Sequence, residues 1–339
     1  MTKDVLKNQE TVIDSFKTFF ENNQIDERDI VDDDRLDNFE QKVKAWLNNV
    51  ETEEEKQIFL VLLKNYSYYN KLSIAQSFIN GFNMFKKIET YHNDTIYMGV
   101  GSRGGIFNGS SELIPIFKRS NKIDKLRIVE KPRDFYEKYD PKDVKNVVLV
   151  DDIIGSGTTV KRYLEENLLR NYPELILGKK IYIICVIALE KGLSTLNKFA
   201  VKNNLFLEVI NEYGIEKAFD KNKGIFISEK ERINAKKIVR KYDEKIVKRE
   251  IDILGFKESQ GLVSFYHNTP NNTFPIFWED PESRSEINNT PWSPIFGRDE
   301  GISGLPEREI PTHKDLGTIK KEKEFKDRLL SKILKKLFD

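Results

Sequence analysis

Apolar residues fall at helical spacing through residues 1–90. Val12, Phe16, Phe19 and Phe20 make one stripe, and Phe39, Val43, Trp46, Leu47 and Val50 make another. Asp37 is the candidate N-cap of the second segment. Thr52 and Glu55 have the spacing of a capping box, which starts a third helix through Ile58–Leu63. Ser73–Phe85, after the cluster Tyr66-Ser67-Tyr68-Tyr69, predicts one more helix.

The period then changes. Short apolar runs at Thr95–Val100, Leu126–Val129, Asn146–Val150, Lys180–Leu189 and Phe206–Ile210 predict strands. Helical segments at Ser110–Phe117, Thr159–Asn171 and Ser194–Lys202 lie between them. That alternation predicts an α/β fold with a parallel, doubly wound sheet covered on both faces. Farther on come a highly charged helix, Ser228–Arg249, and a strand, Gly261–Tyr266. A loop rich in Asn, Thr, Pro and Trp follows over His267–Arg298. Residues 299–318 read as irregular. A last helix carries Phe325, Leu329, Leu330, Ile333, Leu334 and Leu337, a stripe that needs a cover from its own domain or a second copy. The expected division is a helical region at 1–90, an α/β core at 91–227, an extension at 228–300 and a tail at 301–339.

Composition narrows the class. The 339 residues allow two or three folded units, and 39% hydrophobic with 33% charged residues is a globular balance rather than a disordered one. No apolar run approaches the roughly 20 residues of a membrane helix, so no membrane role is expected. The start Met1-Thr2-Lys3-Asp4 has no signal-peptide core, so the expected location is cytoplasmic. The single cysteine, Cys185, excludes an internal disulfide and reads as a small core residue. Net charge is +1, so no global nucleic-acid field is implied. The distribution is uneven: residues 1–60 hold 16 acidic and 8 basic side chains, and residues 230–250 hold 9 basic and 4 acidic. The basic helices at 228–249 and at the C-terminus read as solvated faces, with nucleic acid or a partner protein as the alternatives.

Candidate chemistry concentrates in Val147–Val160. Four apolar residues deliver Asp151 and Asp152, then Ile153-Ile154, then Gly155-Ser156-Gly157-Thr158-Thr159 and a helix. Backbone N–H groups of such a turn make an anion nest, and Ser156, Thr158 and Thr159 add hydroxyl donors. The two carboxylates suit ribose hydroxyls or a water-coordinated Mg²⁺ better than a phosphate. The plain alternative is a tight strand-to-helix turn with a polar cap, which does not account for the length and order of the run. A second Gly-rich loop, Gly99-Val100-Gly101-Ser102-Arg103-Gly104-Gly105, also follows a strand. It matches the dinucleotide fingerprint, with Glu130 near the expected downstream distance. That reading leaves the Asp-Asp loop unexplained.

Val147–Val160 resembles the 5-phosphoribosyl pyrophosphate (PRPP) motif of the type I phosphoribosyltransferases. The resemblance implies ribose contacts from Asp151 and Asp152 and a 5-phosphate held by Gly155, Ser156, Gly157, Thr158 and Thr159. The earlier loop resembles the family's pyrophosphate loop, with Ser102, Gly104 and Gly105 at the diphosphate and Arg103 as the cation. It implies Mg²⁺ as cofactor, with Asp151 and Asp152 holding it through water. It also implies PRPP or a related ribose phosphate as ligand, and a nucleobase or nucleotide as acceptor. Some purine-using members carry an acid at the position of Gly155; its absence here puts a purine acceptor deprotonated from this loop in doubt. Lys131 and Arg133 fall where members often have a mobile loop, and they read as solvated charges.

The segment Phe265-Tyr266-His267-Asn268-Thr269-Pro270-Asn271-Asn272-Thr273, with Pro275–Trp278 and Pro291-Trp292, is not linker-like. Its Asn, Thr and Pro fit turn chemistry. His267, Asn268 and Asn271 are candidates to line an acceptor pocket, against a structural role for a histidine among aromatics. Together with the N-terminal helices and the two loops, this segment is similar to the phosphoribosyltransferase-like proteins of bacterial anti-phage defence systems. That narrower resemblance implies an effector or sensor working with a partner protein or as a homo-oligomer.

Overall fold

The computed structural model describes residues 2–90, 92–101, 109–214, 216–280 and 292–298, without the side chains of 2–11, 92 and 109–111. The expected C-terminal helix lies outside the described residues, as do Ser102, Arg103, Gly104 and Gly105. Residues 1–298 form one compact unit.

Four helices open the chain: α1 (Thr2–Asn22), α2 (Glu27–Asp32), α3 (Phe39–Asn48) and α4 (Glu53–Lys64). Strand β1 (Ser67–Tyr69), helix α5 (Lys71–Ile88) and strand β2 (Thr95–Gly99) follow. The Thr52 box forms as expected: Thr52 Oγ1 accepts from the Glu55 N–H, and the Thr52 N–H donates to Glu55 Oε2. Asp37 is not the cap of α3. That place goes to Asn38, in a left-handed conformation without a side-chain cap bond.

After α6 (Gly109–Asn121) and the single turn α7 (Phe135–Lys138) comes β3 (Asn146–Ile154). Then follow α8 (Thr158–Arg162), widened into a π-helical turn over Tyr163–Leu169, β4 (Lys180–Ala188), α9 (Glu190–Lys202) and β5 (Phe206–Gly214). The strands β2-β3-β4-β5 make a parallel sheet in that order. The strand expected at Leu126–Val129 shrinks to a 3-10 turn and one parallel bridge, Tyr97 to Ile128. That bridge still sets the winding. The chain leaves β2 through α6 on one face to reach the Ile128 edge, then returns through α7 on the other face to β3. Two connections therefore leave in opposite directions between β2 and β3, which makes this pair the topological switch point.

Alternation along the strands feeds two cores. Val147, Leu149, Ile181, Ile183 and Cys185 pack against Val160, Leu164, Leu168, Leu196 and Phe199. Val148, Val150, Tyr182 and Ile184 pack against Phe78, Phe82, Phe85, Leu113 and Phe117. Strands buried on both faces read as continuous apolar runs, which is why the sequence pattern of β3 and β4 does not alternate.

The last described α-helix and strand are α10 (Glu229–Ile246) and β6 (Val263–Phe265). β6 pairs in parallel with β1. A third core joins both ends of the unit: Phe19, Phe39, Trp46, Phe59 and Tyr66 pack with Val239, Tyr242, Phe274, Phe277, Trp292 and Phe296. Trp46 Nε1 donates to the Ile276 carbonyl at 2.7 Å. Arg35 also spans these ends. Its guanidinium holds Asp33 and donates to the carbonyls of Phe265 and Tyr266 and to Thr269 Oγ1. The N-terminal helices thus fix the loop after β6.

Candidate functional site

β3 carries its two carboxylates to the carboxyl end of the sheet, beside the switch point, where open α/β sheets bind ligands. Asp151 is 7% exposed and lies in register with Cys185 of β4. Its Oδ1 accepts the Asp152 N–H, and Asp152 Oδ1 accepts the Ile153 N–H at 2.7 Å. Burial, with the nearby charges of Asp151 and Asp152, pushes the Cys185 thiol well up, so it is a core residue and not a nucleophile.

The turn after β3 is built for a close approach. Gly157 has φ +74° and caps α8, a left-handed conformation that costs a glycine little. Ser156 Oγ donates to Thr158 Oγ1 at 2.9 Å and accepts the Thr158 N–H at 3.3 Å. Thr159 is exposed on the next turn. Residues 155–159 therefore form one compact polar turn adjoining the carboxylates.

The C-terminal extension contributes groups that the sequence placed imperfectly. His267 is the candidate that reaches the acids: its Nε2 meets Asp152 Oδ2 at 3.1 Å with a side chain 3% exposed. A carboxylate only accepts, so Nε2 carries the proton. The ring lies over Phe265 and edge-on to Tyr266. It sits in a tight turn closed by Phe265 and Asn268, whose N–H groups and carbonyls bond reciprocally. Asn268 thus shapes the turn through its backbone. Asn271 is likewise engaged through its backbone, its carbonyl accepting the Phe256 N–H at 2.7 Å.

Asn272, Lys257 and Arg35 were missed from sequence. A Cβ added to Gly155 would lie 2.2 Å from both the oxygen and the nitrogen of the Asn272 amide. The space of a side chain at 155 is therefore taken by residue 272. Lys257 Nζ donates to Thr158 Oγ1 at 3.3 Å, and the Lys257 carbonyl accepts from Lys191 Nζ at 2.8 Å. Burial first, then the neighbouring charges of Lys217 and Lys257, lower the Lys191 pKa, against the opposing charge of Glu258. Lys257 belongs to a segment in which Leu254, Gly255, Lys257, Glu258 and Gln260 all have positive φ. Each non-glycine there costs on the order of 1 kcal/mol, and such strain concentrates where backbone placement matters. The signal available in sequence was the doublet Asn271-Asn272, of which only one reaches the turn.

An acidic pair followed by a Gly-Ser-Gly turn at the switch point of a parallel sheet is the arrangement of a phosphoribosyltransferase-like domain. The family model PRTase-CE matches residues 43–298, and the chain belongs to that family. The match reaches from α3 through the extension, so Asn272, His267 and Lys257 lie inside it. No curated protein matches the chain. Among the described residues no helix is long and apolar enough to cross a membrane.

Proposed function

We infer that the chain binds PRPP or a related ribose phosphate at the end of β3 and transfers or hydrolyses its phosphoribosyl group. The observation that carries this is the junction of Asp151 and Asp152 with the turn 155–159 at the switch point beside Gly99–Gly101. The carboxylates hold the ribose hydroxyls, and the turn with Ser156 and Thr158 holds the 5-phosphate. Arg103, with Ser102, Gly104 and Gly105, serves the diphosphate.

Mg²⁺ fits the donor set in one way. Among the described residues no three His, Cys, Asp or Glu side chains converge as direct ligands. Two adjacent carboxylates, each already accepting a backbone N–H, suit a hard cation held through its water shell. Bound there, the ion would neutralise diphosphate charge. In the reaction the C1–O bond to diphosphate breaks and an acceptor nitrogen or a water oxygen bonds to C1. The acceptor's proton is released, and diphosphate leaves with the bonding electron pair. Positioning and charge stabilisation supply most of such catalysis.

One observation favours a second reading. His267 occupies Asp152 Oδ2, which suits a subunit that senses the ligand without turning it over. Either role fits an effector or regulator of a defence module, a placement that rests on the resemblance of the N-terminal helices, the two Gly-rich loops and the 265–278 segment taken together. Calorimetric titration with PRPP and Mg²⁺ tests the site. The parent should bind, and Asp151→Asn with Asp152→Asn in a still-folded chain should weaken binding at least about tenfold. An unaltered affinity in the double variant would refute the site. Diphosphate release on adding nucleobases, nucleotides or water alone then separates enzyme from sensor.

A further inference from the structure

We propose that Asn272 contacts the ligand, its Nδ2 donating to an oxygen of the phosphorylated sugar seated on residues 155–159. This rests on the reading of that turn as a phosphate site and assigns it a residue from outside the β3 motif. Three observations support it.

First, the amide occupies the side-chain space of residue 155, within 2.2 Å of where a Cβ would be. Gly155 and Asn272 are thus a complementary pair, the glycine leaving room for an amide delivered by a segment more than a hundred residues away.

Second, the backbone of Asn272 is pinned while its donor is idle. The Asn272 carbonyl accepts from the Gly261 N–H at 2.9 Å and from Ser259 Oγ at 2.9 Å. Asn272 is 6% exposed, yet among the described residues its Nδ2 has no hydrogen-bond partner. A buried amide donor held in place and unpaired is the state expected of a group that meets its acceptor on a ligand. His267 Nδ1, on the same segment and against the same site, is a second buried polar atom without a partner among the described residues.

Third, the chemistry of the neighbours defines the ligand atom. Nδ2 donates and cannot accept. The groups around the turn are Ser156 Oγ, Thr158 Oγ1 and the Lys257 ammonium. A neutral donor added to hydroxyls and a cation suits a phosphate or ribose oxygen. Being uncharged, it also tolerates Asp151 and Asp152, which a further acid would not.

The test titrates ribose 5-phosphate, and separately PRPP with Mg²⁺, into the full chain and into Asn272→Asp and Asn272→Ala. Melting curves run alongside. Asn272→Asp preserves shape but replaces the donor with an anion. It should weaken both ligands at least about tenfold while the melting temperature stays near that of the parent. Asn272→Ala, the variant to rely on if the aspartate destabilises the fold, should lose about tenfold in affinity. Folded variants that bind within twofold of the parent would overturn the proposal and leave the phosphate site standing. A parent that binds neither probe would bring down the site reading, and the assignment of Asn272 with it.

Discussion

Replacing Gly192 with alanine sets two effects against each other. Gly192 is in the first turn of α9, where loss of glycine's conformational freedom gains up to about 1 kcal/mol. Opposing this, the new Cβ would stand 2.6 Å from the Gly155 carbonyl oxygen, 2.7 Å from Ile154 Cγ2 and 2.8 Å from the Ile154 carbonyl oxygen. Ordinary contact begins near about 3.5 Å, so helix and turn must part by close to an ångström. The turn cannot yield freely, because the Ile154 carbonyl also accepts the Leu189 N–H at 2.9 Å. Overpacking of this kind costs about 1–3 kcal/mol, which leaves a net loss of roughly 1–2 kcal/mol. For a unit of this size that is a drop in melting temperature of about 2–8 °C. The displaced residues are those of the turn proposed to hold the phosphate, so on that proposal affinity for PRPP with Mg²⁺ should fall on the order of tenfold to a hundredfold. Calorimetry and thermal melts on Gly192→Ala, with the exposed Ser194→Ala of the same helix as control, measure both. A Gly192→Ala chain that melts as high as the parent and binds as tightly would refute the close packing of α9 on the turn.

Trp46→Phe should lower stability by about 1–2 kcal/mol in urea unfolding, since it leaves the buried Ile276 carbonyl with one donor fewer while the ring contacts with Phe59 and Phe277 persist; no change would mean that the bond is idle. Acid should loosen the contact between the start of α4 and α10. Hydrogen bonds from Lys241 and Lys245 hold the Glu51 carboxyl at about 2, below its ordinary 4.5. A depressed acid stabilises the fold above its unfolded pKa, and that contribution fades as pH falls from 4.5 toward about 2. Melting temperatures over this range should therefore fall less steeply for Glu51→Gln than for the parent, and parallel slopes would refute it.

Much of the sheet and of the candidate site's local backbone was legible in the sequence because local rules govern them. Apolar runs of four or more residues identify β3 and β4, and the order Asp151-Asp152 then Gly155–Thr159 marks the end of β3. The Thr52 capping box forms from residues three apart. The rest depended on where distant segments meet. Leu126–Val129 looks like a strand, but tertiary placement leaves it one bridge to Tyr97, and that bridge decides the winding. His267 on Asp152 spans 115 positions and Arg35 on Phe265 spans 230, separations at which no periodicity speaks. Asn271 and Asn272 are equivalent as letters. Backbone bonds from Phe256 and Gly261 turn one amide and not its neighbour onto Gly155. The sequence by itself therefore determined most of the elements and the strand-turn-helix of Asp151–Thr159, because those follow from residue spacing and backbone sterics. Only the tertiary structure decided which distant side chains meet at the candidate site, because that depends on packing between α3, α4, α10 and β6 rather than on any pattern along the chain.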